Sequence, residues 1–485
     1  MKHYGPSLQK EVCWDMRIAE SANGVRLQMH KPVRKNRILT CDKPWEGNGC
    51  CYAKIFYDGE KYRYYYRGRG QADGFGTEPH HGVWCVAYSY DGKTFTRPDL
   101  GIFEFAGSKH NNIVMQIDNY CIDNFSIMLD ENPACPPAER YKAFAGETPP
   151  NAPRRLRYYV SEDGIHFNEV DLVKASGAFD SLNICFWDER KECYSLYLRG
   201  LHNADPAYKI PYENEGHVRD VRISYSQDME SWTEPMPLDY GENDKDEIQL
   251  YTNGIMKYPG TDMYIGIPTR YIDRTMDKHN YQYIQDLGGN RQKAIEGKCE
   301  ERLGTAITET MLMTSRDGEH FDRTKEAFYT PGFEYDNYWV YGDGYFAVGM
   351  VETAADYEGE PNELSLYVGV GPIYKAVTFE RYALRMDGFF SWRADFAGGD
   401  ITTKPFTFEG SSLLLNFATS ALGYLRIEIL DEDGNAIEGY DTGRLFGNAV
   451  ARPCDFEKPL SALAGKPIRL RVSMRDADLY AFRFV

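Results

Sequence analysis

A short pattern, Ser-x-Asp-Gly-x-x-aromatic, recurs along the chain. Its copies are Tyr88-Ser-Tyr-Asp-Gly-Lys-Thr-Phe95, Tyr159-Val-Ser-Glu-Asp-Gly-Ile-His-Phe167, Tyr225-Ser-Gln-Asp-Met-Glu-Ser-Trp232 and Thr314-Ser-Arg-Asp-Gly-Glu-His-Phe321. The third copy carries Met229 where the others carry Gly. A strand enters, Asp and Gly make a tight turn, and the aromatic residue anchors the strand that leaves. The Asp positions, 91, 163, 228 and 317, are spaced by 72, 65 and 89 residues. A four-stranded sheet with its loops needs about that much chain, so each copy predicts one blade of a β-propeller. Four marked blades and one unmarked blade give five. The motifs are turn devices and are assigned no chemistry.

Helical periodicity is scarce, and the fold class expected is all-β. The clearest hairpin runs Tyr52–Tyr57, Asp58-Gly59, Lys61–Arg67, and a second runs Ile184–Trp187 to Cys193–Arg199. Both end on an Arg-Gly pair, Arg67-Gly68 and Arg199-Gly200. The polar stretch Asp273–Arg302, with Gly288-Gly289, reads as an inserted loop or lid. After about Arg385 the repeat stops, and alternating runs such as Tyr424–Leu430 and Ile468–Met474 take over. The expected division is a five-bladed propeller over 1–385 and a C-terminal β-sandwich over 386–485.

The net charge of −18 repels phosphate backbones and anionic lipid surfaces, so neither nucleic acid nor membrane is an expected partner. No apolar run approaches the 18 residues a membrane helix needs. The start, MKHYGPSLQKEVCWDMRI, shows no apolar stretch after its lysine, so a cytoplasmic location without signal peptide is expected. Eleven cysteines are scattered without CxxC or CxH spacing, which predicts reduced, mostly buried thiols and no zinc site. No G-x-S-x-G, P-loop or HExxH is present. Aromatic residues form 14 % of the chain, and 37 of them are Tyr. Most serve a β core, and a few can stack on sugar rings.

Carboxylates are the informative class. The innermost strands of a propeller surround a funnel that a ligand enters from one end. An acid precedes the first strand of each inferred blade: Glu46, Asp123, Asp180, Glu247 and Asp343. Asn48, Asn124, Asn183 and Asn253 accompany four of them, and Trp339 flanks the last. Such a ring of carboxylates, amides and aromatics suits a hydroxyl-rich ligand. With 73 acids in the chain, and with Asp and Asn common as turn caps, each position also has a structural reading. Arg270 either binds substrate or pairs with a neighbouring acid. Glycoside hydrolysis needs one protonated and one ionised carboxyl group, and crowded acids divide that way. No cofactor is required. A structural Ca²⁺ would find carboxylate and amide ligands in the funnel.

Several segments resemble a large, mostly bacterial group labelled glycoside hydrolase family 32-like, with a five-bladed propeller. They include Pro44-Trp-Glu-Gly-Asn48, Leu100–Lys109 followed by Asn111–Val114, Ala178–Asn183, Leu250–Asn253, Pro268–Tyr271 and Glu363–Tyr367, with Asp387-Gly-Phe and Ser461–Pro467 in the tail. The Asn-Asp-Pro-Asn, Arg-Asp-Pro and Glu-Cys segments of the sucrose- and fructan-cleaving members do not occur here, so the likeness is one of architecture. By analogy with the related family 43, Glu46 would be base or nucleophile, Asp180 the general acid and Asp123 a tuning or sugar-binding residue. Asp343 competes for either catalytic role. The resemblance implies a glycosidase for short oligosaccharides, with Glu46, Asp180 and Asp343 as the catalytic set. Asn48, Asp123, Asn124, Asn183, Glu247, Asn253, Arg270 and Trp339 would bind substrate. The sandwich would be an accessory module, or would wall a neighbouring subunit's pocket in a homo-oligomer. Two alternatives stand beside it: a sugar-binding propeller without turnover, and a phosphorylase using Arg67, Arg69 or Arg270.

Overall fold

The computed structural model describes residues 8–70, 80–116, 122–149, 152–210, 216–284, 291–292, 296, 302–334, 338–371 and 376–485. Five antiparallel sheets follow one another as blades. From the inside outwards, blade 1 is Cys51–Tyr57, Tyr62–Gly70, His80–Ser89 and Ile113–Met115. Blade 2 is Ile122–Leu129, Tyr141–Glu147, Arg155–Ser161 and Asn168–Leu172. Blade 3 is Ile184–Asp188, Cys193–Asn203, His217–Ser226 and Met236–Pro237. Blade 4 is Ile255–Lys257, Tyr264–Gly266, Met313–Ser315 and Asp322–Arg323, extended by the pair Thr269–Asp273 and Ala306–Thr310. Blade 5 takes Tyr345–Phe346, Glu363–Val370 and Thr378–Arg385 from the end of the propeller sequence. Its outermost strand, Val33–Thr40, comes from the beginning. That borrowed strand closes the ring. The inner strands of blades 1 and 5 also bond directly, Ile55 N–H to the Val348 carbonyl at 2.9 Å and Val348 N–H to the Ala53 carbonyl at 2.8 Å.

The repeated motif ends the third strand of blades 1 to 4, as its spacing predicts, and blade 5 lacks it. In the first copy Ser89 Oγ donates to Asp91 Oδ1 at 2.8 Å, and the N–H groups of Lys93 and Thr94 donate to the same oxygen at 2.7 and 2.8 Å. Gly92 turns through φ +69°. The turn then docks on the preceding blade. Tyr65 OH of blade 1 reaches the Gly164 carbonyl of blade 2 at 2.9 Å, and Tyr197 OH of blade 3 reaches the Gly318 carbonyl of blade 4 at 2.8 Å. A Cβ on Gly164 would come within 2.6 Å of the Tyr65 oxygen, so glycine is needed there for contact as well as for φ.

Beyond Met386, the strands Phe390–Ala394, Gly399–Thr403, Leu413–Asp431, Ala436–Asp441, Asn448–Pro453 and Ile468–Phe484 join one nine-stranded network. Its spine is the pairing of the two long strands, Leu413–Asp431 and Ile468–Phe484. Alternate residues Leu425, Ile427, Ile429, Leu470, Val472 and Met474 point into one buried core. The expected division at 385/386 differs in one respect. Lys10–Val12, Ala19–Asn23 and Val25–Met29 pair with this C-terminal sheet, so the chain begins there before it enters the propeller. Asp387 sits at the junction. Lys10 and Tyr258 donate to its carboxylate at 2.7 and 2.8 Å, and Trp14 Nε1 donates to its carbonyl at 2.8 Å. Residues 285–290, 293–295 and 297–301 of the anticipated insert, Gly288-Gly289 among them, lie outside the described residues. No helix among the described residues is long and apolar enough to cross a membrane.

Candidate functional site at the propeller mouth

Inner strands begin at one face of the ring, here called the mouth, and the loops that lead into them carry the anticipated acids. What occupies the axis is tyrosine. Tyr345 stacks on Tyr52 at 5.8 Å and on Tyr251 at 5.9 Å, and Tyr251 stacks in turn on Tyr271 at 5.9 Å. The hydroxyls of Tyr251 and Tyr341 are hydrogen-bonded. Two buried arginines cap this stack from equivalent positions, Arg67 over Tyr52 at 4.9 Å and Arg199 over Tyr251 at 5.2 Å. These are the two Arg-Gly pairs of the sequence. The glycines allow close approach: a Cβ on Gly68 would lie 2.4 Å from the Trp45 carbonyl oxygen, and one on Gly200 would lie 1.8 Å from Asp220 Oδ1. The tyrosine cluster itself was not anticipated. Nothing in a chain with 37 tyrosines marks which of them meet at the axis.

The predicted acids separate into different environments. Asp180 is at the mouth with its side chain 48 % exposed, 2.5 Å from Arg154 and 3.6 Å from Arg199. Asp343 is wholly buried in the turn that enters blade 5, where Trp339 N–H and Gly344 N–H donate to its two oxygens at 3.1 Å each. Burial outweighs those donors and pushes its carboxyl up to about 8, with the charge of Glu380 adding to the rise. Both acids flank the tyrosines. Arg199 donates to the Tyr251 carbonyl, Tyr251 bonds Tyr341, and Tyr341 lies in the same turn as Asp343.

Glu46, expected in the catalytic set, is enclosed by its own fold. Its side chain is 0 % exposed, and Arg97 grips both oxygens at 2.7 and 2.9 Å. Tyr66 OH and Lys43 N–H donate to it as well, at 2.6 and 3.0 Å. Its acceptor sites face donors of its own fold, an arrangement that braces blade 1. Arg270 takes the structural alternative too: Nε donates to Glu309 at 3.0 Å and Nη1 to the Lys325 carbonyl at 3.0 Å. Asn253 ties blade 3 to blade 4 through the Leu182 and Tyr197 carbonyls, at 3.2 and 3.4 Å. Asn183 and Asn48 are buried, as is Asn124, which has left-handed backbone at φ +67°. The Asn183 amide donates to Ser181, and its Oδ1 has no partner. Trp339 keeps part of its ring exposed while Nε1 bonds the Gly332 carbonyl at 2.7 Å. Glu247 binds His202 at 2.7 Å, away from the tyrosine stack. Asp123 enters blade 2, and its side chain lies outside the described set. Glu147, which the sequence reading passed over, is locked by Arg155 and Arg157.

Among the described residues no group of three or more His, Cys, Asp or Glu is arranged to hold a metal ion. No family model and no curated protein matches the chain. Solved structures do resemble it. One is described as a glycoside hydrolase, at 11 % identity over 73 % of this chain and 92 % of that one, with a TM-score of 0.45. Another is an N-acetylgalactosamine deacetylase from F. plautii in complex with blood group B trisaccharide, at 12 % identity over 74 % and 94 % with a TM-score of 0.44. A third comes from work on the GH130 family of mannoside phosphorylases, which contains glycoside hydrolases that target β-1,2 mannosidic linkages in Candida mannan. It matches at 13 % identity over 73 % and 94 %, with a TM-score of 0.41. At these similarities no residue role or activity carries over to this chain.

Proposed function

We propose that the protein is a glycoside-processing enzyme whose substrate binds over the tyrosine stack at the propeller mouth, with Asp180 as the carboxylate that meets it. The observation that carries this reading is the contrast between two acids flanking one aromatic floor. Asp180 is open to solvent and paired with arginine, whereas Asp343 is buried with its carboxyl raised to about 8. Cleaving a glycosidic bond takes one carboxylate and one proton donor, and a raised carboxyl is protonated at neutral pH. Asp343 is the acid half. It is held inside the Trp339–Gly344 turn by that turn's own N–H groups, so protonating a glycosidic oxygen requires the turn to open. Aromatic faces suit the C–H side of a sugar ring, and the arginines and tyrosine hydroxyls suit its oxygens.

Phosphorolysis is a second reading, favoured by the matched placement of Arg67 and Arg199 at the axis. A screen of aryl glycosides and short oligosaccharides, with and without inorganic phosphate, tests both. Turnover without phosphate that is lost in Asp180→Asn is expected. Turnover that depends on phosphate selects the second reading. Saccharide binding without turnover, undiminished in Asp180→Asn, would leave the non-catalytic alternative.

A further inference from the structure

A second pocket lies beside the mouth. The chain crosses from the outer strand of blade 3 to the inner strand of blade 4 along residues 238–254, and a cavity of about 170 Å³ lies against this crossing. That is the space of about six waters at ~30 Å³ each, which suits a single sugar ring. Its floor is apolar, formed by Val218, Leu238, Ile248 and Leu250. Its rim is polar and already fixed: His202 Nδ1 meets Asp220 at 2.8 Å and Nε2 meets Glu247 at 2.7 Å. Carboxylate oxygens held this way accept further hydrogen bonds without reorganising.

One wall carries an unmet demand. Arg323 lies over the Tyr240 ring at 4.0 Å and binds Asp244 at 2.6 Å, which fixes the ring. The Tyr240 hydroxyl is buried and has no hydrogen-bond partner among the described residues, although the residue lines the cavity. A buried hydroxyl without a partner costs stability, and a ligand or water in the cavity would satisfy it. The cavity also neighbours the mouth. A smaller pocket between them shares Asp220 and Leu250 with the cavity, and Arg199 and Tyr251 with the tyrosine stack.

We infer that this cavity is a second saccharide subsite, taking the next ring of an oligosaccharide whose first ring occupies the mouth. The inference rests on the proposed function, and it makes a disaccharide or longer chain the preferred ligand. The ring's C–H face would lie on the apolar floor, its hydroxyls would donate to Asp220 and Glu247, and one oxygen would accept from Tyr240. Glu247, expected from sequence to bind substrate, then does so one subsite from the axis.

The test uses the full chain and saturation-transfer NMR with three matched pairs of probes: glucose and cellobiose, xylose and xylobiose, mannose and mannobiose. In the wild type, the disaccharide of at least one pair is expected to bind more tightly than its monosaccharide. In Tyr240→Phe that ratio is expected to fall about tenfold, the loss typical of one buried hydrogen bond. The melting temperature should hold or rise, because an unpaired hydroxyl is removed. Leu238→Trp, which fills the cavity, should abolish the disaccharide preference. Equal affinity for both members of every pair, or a preference unmoved by both variants, overturns the subsite and leaves the mouth reading standing. No saccharide binding at all overturns both.

Discussion

The repeated turns and the mouth use the same side chain in opposite ways. At the turns, partial burial pushes the Asp163 carboxyl up. The N–H groups of His166 and Ile165, with the His166 ring and Ser161, outweigh it and bring the carboxyl down to about 2. Asp317 moves further the same way for the same reasons. At the mouth, Asp343 also accepts backbone N–H groups, yet complete burial and the nearby Glu380 carry it up to about 8. The donors are alike; solvation differs. A turn carboxylate stays partly in water and serves its own segment, whereas Asp343 is sealed by residues brought from elsewhere in the chain.

The largest expected effects set these two classes against each other. Asp180→Asn should lower turnover by about 10²–10⁴-fold with little change in melting temperature. Asp163→Asn should leave turnover intact and cost about 1–2 kcal/mol in urea unfolding. Steady-state kinetics beside unfolding curves check the pair, and full activity in the Asp180 variant would remove Asp180 from the chemistry. Glu46→Ala comes next. It strands Arg97, and breaking a buried pair costs about 3–5 kcal/mol. Unfolding should register that loss while the folded fraction still turns over. A variant of unchanged stability and no activity would instead place Glu46 in the catalytic set.

The same division explains what could be read in advance. The turns were legible because Ser89, Asp91 and Gly92 interact within three residues, and blade number followed from their spacing. The starts of the inner strands were legible as well, which placed Asp180 and Asp343 at one face. The roles of individual residues were not. Whether Glu46 faces a substrate depends on Arg97, 51 residues away, and the tyrosine stack joins residues from blades 1, 4 and 5. The N-terminal strands of the C-terminal sheet escaped notice because Ala19–Asn23 and Val25–Met29 are only five residues each, bury little, and are strands by pairing with residues 390–403.

Asp343 gives a smaller, pH-dependent effect. Its folded carboxyl is raised above the unfolded value, so the folded state binds the extra proton. Stability from this group is therefore full below about pH 4 and declines as pH rises towards about 8. Asp343→Asn removes that slope. Relative to the variant, the wild type should gain on the order of 2–4 kcal/mol as pH is lowered from 8 to 4, at 1.36 kcal/mol per unit discounted for relaxation. Chemical unfolding at four pH values measures it, and parallel curves would show that Asp343 ionises normally.

The smallest effect probes the joint between blades 2 and 3, where the marked copy departs from the pattern. At the other marked joints a tyrosine hydroxyl reaches a glycine carbonyl: Tyr65 to Gly164, Tyr197 to Gly318 and Tyr367 to Gly92. Phe144 of blade 2 holds the place of Tyr65 and Tyr197, since each pairs with the residue three before the turn serine. Met229 takes the glycine position at φ +66° and packs in the cluster that contains Phe144. The two departures compensate: the methionine side chain fills the space that a hydroxyl and a glycine would share. Met229→Gly alone relieves about 1 kcal/mol of left-handed strain but opens a gap beside Phe144. Phe144→Tyr alone buries a hydroxyl against methionine, at about 1–3 kcal/mol. The double variant rebuilds the bond found at the other joints, so the two changes should couple favourably by about 1–2 kcal/mol in a double-mutant cycle. Simple additivity would mean that this joint is a different construction, and that the third copy shares the motif's serine, aspartate and aromatic residue but not its docking.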